Sequence, residues 1–146
     1  MNKNLYFLFI GQGEDEESFL KTAKKLNISE RIILIKSTDN VHYFMKKTKC
    51  FVLTSLWEDP GFVLVEAGYN NCQVVSSDCP NGPKEIINDD GGYLFQSNNT
   101  GSFVKTMKFF LQDSEKNKLS KKIKLKKRLK SFTVFHHCLV LKEILN

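Results

Sequence analysis

The sequence predicts an α/β fold, a Rossmann-like parallel sheet with flanking helices, followed by a helical C-terminal extension. Three observations predict it: short continuous apolar runs alternate with helix-period segments, the first run ends at a glycine turn, and the composition changes after residue 113. Apolar runs with no polar face suit strands buried on both sides, the habit of parallel sheets. Strands alternating with helices at this pace mean βαβ units with right-handed crossovers. The division expected is 1–113 for the Rossmann-like part and 114–146 for the extension.

The first strand is Leu5 to Ile10, stopped by Gly11-Gln12-Gly13. Glu14 to Glu17 place acids in the first turn of a helix with Phe19, Leu20, Ala23 and Leu26 at helical spacing, and Asn27 stops it. Arg31 to Ile35 is the second strand, Asp39 caps a helix reaching Lys47, and Cys50 to Thr54 is the third strand. After the loop Ser55 to Gly61 a helix runs from Phe62 to about Asn70. Gln73 to Ser76 is the fourth strand, Asp78 to Pro83 a loop, Lys84 to Asn88 a short helix, and Gly92 to Phe95 the last strand. Thr100 opens an amphipathic helix bearing Phe103, Val104, Met107, Phe110 and Leu111 on one side. Two helices fill the extension, the first with Leu119, Ile123, Leu125 and Leu129, the second with Val134, Cys138, Leu141 and Leu145.

A chain of 146 residues, 41% of them apolar and twelve of them Phe, suits one domain with a packed core and excludes a disordered composition. Four scattered cysteines without a CxxC and three histidines not spaced with them give no zinc pattern, so reduced thiols and no metal are expected. No stretch approaches the roughly 20 apolar residues a membrane span needs. The opening Leu5 to Ile10 run is too short and poorly flanked for a secretory signal. The expected location is cytoplasmic.

The net charge of +6 invites a nucleic-acid reading, but nine basic residues fall between Lys116 and Lys130 with no acid among them. The rest of the chain is mildly acidic. That run reads equally as a solvated helix face and as a peripheral contact of residues 116–130 with the inner face of an anionic membrane. Nucleic acid ranks below both, because no aromatic residues interleave the lysines as stacking platforms.

In a doubly wound sheet, ligands bind beyond the carboxyl ends of strands, where helix N-termini present free N–H groups. The turn at Gly13 is a poor dinucleotide fingerprint: it lacks a third glycine, and the four acids after it would repel a pyrophosphate. The turn from Ser55 to Ala67 carries more. Glu58 and Glu66, eight positions apart, are paired carboxylates of the kind that accept hydrogen bonds from vicinal sugar hydroxyls. The N–H groups of Gly61, Phe62 and Val63 stand at the helix start. By spacing alone, a helix start with two solvated glutamates is the stronger reading. Trp57 either walls a sugar pocket or, more simply, packs. His136 and His137 read as packed or partly exposed side chains.

Ser55 to Ala67, followed by Gln73 to Ile87 with its Asn-Gly-Pro-Lys-Glu segment, resembles the donor-binding C-terminal half of GT-B retaining glycosyltransferases. The shared hallmark is Glu-x7-Glu, here Glu58 and Glu66, and the resemblance covers about Leu5 to Gln112. It implies that Glu66 binds the ribose of a nucleoside diphosphate sugar, with Gly13 also at the donor site and Ser37, in Lys36-Ser37-Thr38, near the base. It implies further that Glu58, as the catalytic residue, holds the donor hexose together with the amides of Gly61 and Phe62, with Val63 beside them. This sequence has Glu-Asp-Pro-Gly-Phe where many relatives have Glu-Gly-Phe-Pro, which leaves open which amide meets the sugar.

The resemblance implies a hexosyltransferase that works without a metal or other cofactor on a glycan or lipid-linked acceptor, in lipopolysaccharide or capsule assembly. The family's diphosphate-binding Arg and Lys precede the segment matching Leu5 to Ile10, and only four residues stand there. Residues 1–113 are therefore expected to be an incomplete nucleotide-sugar-binding domain with a gap in its sheet, inactive alone. The chain would be a truncated product or one piece of a split enzyme with an N-terminal-domain partner chain. The alternatives are a nucleotide-sugar-binding subunit or fragment without activity, and a GT-B-like epimerase fragment.

Overall fold

A computed structural model describes residues 5–145. The chain forms two compact units that meet in sequence at Val41 and His42. Five parallel strands fall into two sheets, one of two strands and one of three.

In the first unit, β1 (Phe7–Ile10) pairs with β2 (Ile32–Ile35) in parallel, Phe7 opposite Ile32 and Ile10 opposite Ile35. Helix α1 (Glu16–Lys25) links them. It ends where the sequence places its stop: Asn27 adopts φ +54°, and the Ile28 N–H turns back to the Ala23 carbonyl at 3.0 Å. The expected burial of the first strand on both faces is corrected here. Phe7 and Phe9 are each 40% exposed. β1 pairs with β2 alone, and its cover from α1 includes the edge-on contact of Phe19 with Phe9 at 4.5 Å between ring centres.

In the second unit come α2 (Val41–Lys47), whose first residue is the unit boundary, then β3 (Cys50–Leu53), α3 (Phe62–Tyr69), β4 (Gln73–Ser77), α4 (Pro83–Ile87), β5 (Tyr93–Phe95) and α5 (Thr100–Gln112). The sheet order is β3-β4-β5, and β4 is buried along its whole length. Alternate residues of β4 enter different cores, as a strand period of two requires. Val74 packs with Leu64, Val65, Ile86 and Ile87, while Val75 packs with Tyr93, Phe95 and Phe110. No strand pairing joins β1 to β3 among the described residues.

Two further helices, α6 (Glu115–Arg128) and α7 (Val134–Leu145), are joined by a 3-10 turn over Leu129–Phe132. Ser114 caps α6 by accepting the Asn117 N–H. The change at residue 113 is one of composition and not of packing, because Leu125 and Leu129 are fully buried in the core with Leu64 and Val74. Burying two leucines stabilises that contact by roughly 1.5–3 kcal/mol each. Among the described residues, no helix is long and apolar enough to cross a membrane.

Candidate functional site

The Glu58 side chain reaches the start of α3 because the loop before the helix doubles back. Gly61 caps α3 at φ +80°, a left-handed conformation that favours glycine. A Cβ built on Gly61 would lie 3.4 Å from both Cγ and Oε2 of Glu58, so that carboxylate stands against the helix N-terminus. No side chain caps α3. The first amide bonded within the helix is Leu64, to the Gly61 carbonyl at 3.0 Å, which leaves the Phe62 and Val63 N–H groups without intrahelical acceptors.

Glu66 is exposed one turn above Phe62 on the outer face of α3, while Leu64, Val65, Ala67 and Gly68 face the core. Gly61, Phe62, Val63 and Glu66 thus lie on or at the start of one short helix, with Glu58 in the loop against its N-terminus. Asn70 ends that face, with its side-chain amide donating to the Glu66 carbonyl at 2.8 Å and to Nδ1 of His42 at 2.8 Å. The sequence reading had given His42 no place.

Gly13 and Ser37 belong to the first unit, at the carboxyl ends of β1 and β2. A cleft of about 370 Å³ lies there, lined by Phe9, Gly11, Gly13, Glu14, Asp15 and Phe19 among others. A smaller one of about 200 Å³ lies in the second unit between Thr54, Leu56, Phe95 and Asn99. Neither contains Glu58 or Glu66. Trp57 departs from the expected packing, since it is 59% exposed.

The basic run is tied inward at five of its nine residues. Arg128 donates to the Ile87 carbonyl at 2.6 Å and pairs with Asp90 at 2.8 Å, and Lys124 also faces Asp90. Lys121 lies over the Tyr93 ring, Lys118 over Phe110, and Lys126 donates to Asn71. Lys116, Lys127 and Lys130 face outward with Leu119 and Ile123. The solvated-face reading is thereby corrected for these five residues, which fasten α6 to α4, α5, β5 and the loops at Asn71 and Asp90. Among the described residues, no three His, Cys, Asp or Glu side chains group as a metal site.

Residues 1–128 match the family described as glycosyl transferases group 1. The chain belongs to that family. Within it, the chain is 30% identical over 133 residues to the N-acetylgalactosamine-N,N'-diacetylbacillosaminyl-diphospho-undecaprenol 4-alpha-N-acetylgalactosaminyltransferase of Campylobacter jejuni, covering 90% of this chain and 36% of that protein. It is 31% identical to the lipopolysaccharide 1,6-galactosyltransferase of Escherichia coli, over 65% of this chain and 28% of that one. The chain thus spans about a third of the length of these group 1 relatives. In fold it is similar to Anabaena HepE, solved with UDP, at a TM-score of 0.85 and 16% identity over 97% of this chain and 40% of HepE. It is likewise similar to a Rickettsia africae glycosyltransferase, at 0.84 and 15% over 98% and 41%. These solved glycosyltransferases share the GT-B architecture, and the group 1 chain has the fold of part of it.

Proposed function

We propose that the chain is the donor-binding part of a retaining hexosyltransferase that moves a sugar from a nucleoside diphosphate to a glycan or lipid-linked acceptor. The observation that carries the reading is the Glu58 carboxylate held against Gly61 at the uncapped start of α3, with Glu66 on the same helix. Carboxylates accept hydroxyl protons while free amides meet oxygens. A polyol flanked by phosphate needs both. In this reading Glu66 takes the ribose, Glu58 with the Gly61, Phe62 and Val63 amides takes the hexose, and Ser37 and Gly13 serve the base and donor. No metal takes part. The two relatives above are named for glycosyl transfer, one to a diphospho-undecaprenol-linked acceptor and one in lipopolysaccharide, which supports an acceptor of that class.

Calorimetric titration with UDP-, GDP- and ADP-sugars, and with the parent diphosphates, tests it. Removing a hydrogen bond to a charged group costs about 1.5–3 kcal/mol, so Glu66→Ala should weaken sugar-linked and free diphosphate alike by about tenfold or more. Glu58→Ala should weaken only the sugar-linked form. If no nucleotide binds the wild type better than Glu66→Ala, the ribose role is wrong.

A further inference from the structure

The loops that follow β3 and β4 run side by side, joined at three rungs. The buried Ser77 hydroxyl donates to the Ser55 carbonyl at 2.6 Å. The Glu58 N–H donates to the Pro80 carbonyl at 3.3 Å. Gly82, at φ +116°, is pressed so close to Pro60 that a Cβ on it would sit 1.7 Å from the Pro60 carbonyl oxygen. Each rung joins positions 22 apart in sequence, against 23 for the partners in β3 and β4, so the two loops run on side by side in a register shifted by one residue.

Glu58 sits in the middle of this ladder, with one rung on each side. Its own N–H is bonded to Pro80 and the chain on either side of it is held at Ser55 and Pro60, while its side chain is left against Gly61. A side chain at position 82 has nowhere to go except by moving Pro60, and Pro60 directly precedes the Gly61 cap. The energetic reason for a glycine here is a close backbone approach combined with a positive φ. The reason for a buried serine at 77 is the carbonyl of Ser55, which would otherwise lose its partner.

We infer that Ser77 and Gly82 are positioning residues: they hold the Glu58–Gly61 loop, and through it the hexose-facing carboxylate, without touching the donor. This rests on the proposed donor site for its ligand readout. Its structural readout is independent, because Trp57 is the only tryptophan and lies in the held loop. A displaced loop changes the emission and acrylamide quenching of that one residue.

The experiment compares wild type, Ser77→Ala, Gly82→Ala and, as a control that loosens a distant packing contact, Arg128→Met. Ser77→Ala and Gly82→Ala should shift Trp57 emission and quenching, and Arg128→Met should not. In calorimetry, UDP-glucose, GDP-mannose and ADP-glucose should lose about tenfold or more in affinity relative to the parent diphosphates, as expected when a hydrogen bond to the Glu58 carboxylate is lost. Binding of the parent diphosphates should be unaltered. Unchanged Trp57 signals in folded Ser77→Ala protein overturn the inference, as does an equal loss for sugar-linked and free diphosphates. Should Gly82→Ala not fold, Ser77→Ala alone decides. If the wild type binds no nucleotide, the donor-site reading fails, while the Trp57 comparison still decides whether Ser77 and Gly82 hold the loop.

Discussion

Gly68 of α3 lies directly beneath Leu129: a Cβ on the glycine would come within 2.5 Å of Leu129 Cδ1 and 3.0 Å of Leu125 Cδ2. Both leucines are buried, so neither tip has free space to swing into. Gly68→Ala gains up to about 1 kcal/mol in helix propensity and loses about 1–3 kcal/mol to overpacking. A net destabilisation is expected, read as a lower urea midpoint at unchanged slope. A midpoint at or above that of wild type would show that α6 yields.

The division of the basic run into inward and outward residues predicts unequal mutational costs. Arg128→Met removes bonds to the Ile87 carbonyl and to Asp90 and should destabilise by about 1.5–3 kcal/mol, the usual value for hydrogen bonds to charged groups. Lys127→Met, on the exposed side, should stay within about 0.5 kcal/mol of wild type. Equal effects in chemical denaturation would mean that Arg128 does not fasten α6.

Tyr93 and Asp113, 2.7 Å apart, should shape both ends of the pH-stability curve. The hydrogen bond from Tyr93 holds the Asp113 carboxyl below its usual range, and the bond from Arg128 does the same for Asp90. Their contribution is complete above the unfolded carboxyl pKa of about 3.9 and is lost as pH falls through the lower folded values. Burial, then the bond to Asp113, raises the Tyr93 phenol. Its contribution is complete below the unfolded value of about 10 and is lost as pH rises further. Unfolding midpoints for Tyr93→Phe should therefore vary less with pH at both extremes, and a curve parallel to wild type would contradict the linkage.

The thiols should differ sharply in reactivity. Burial pushes Cys50 up to about 12 and raises Cys72, and Cys79 is buried, whereas Cys138 is exposed on α7. Because the thiolate is the reacting form, titration with a disulfide reagent should show one fast thiol per chain. Cys138→Ser should abolish it.

Much of the fold was legible because strand and helix periods do not depend on neighbours. The five strands and seven helices lie close to where the apolar spacing places them, and Asn27 ends its helix as its chemistry suggests. Asp39 does not cap the second helix, which begins at Val41 directly after Asn40. The exposure of Phe7 and Phe9 was not legible, because an apolar strand reads the same with or without a second sheet neighbour. The inward lysines were missed for a similar reason: their partners, Asp90 and the rings of Tyr93 and Phe110, lie far away in sequence. At the candidate site, the spacing of Glu58 and Glu66 could be read directly. The rungs at Ser77, Pro80 and Gly82 could not, since each pairs residues 22 positions apart whose contact only the fold creates.

That ladder also constrains how the chain can vary. Surface loops ordinarily accept insertions and deletions more readily than the elements they join. Here a residue lost or gained between Ser55 and Pro60, or between Ser77 and Gly82, would put every later rung out of step with its partner. Substitutions at exposed positions such as Leu56 or Asn81 leave the rungs aligned. The two loops should thus vary in composition but keep equal length, so that a change in the length of one would have to be matched in the other.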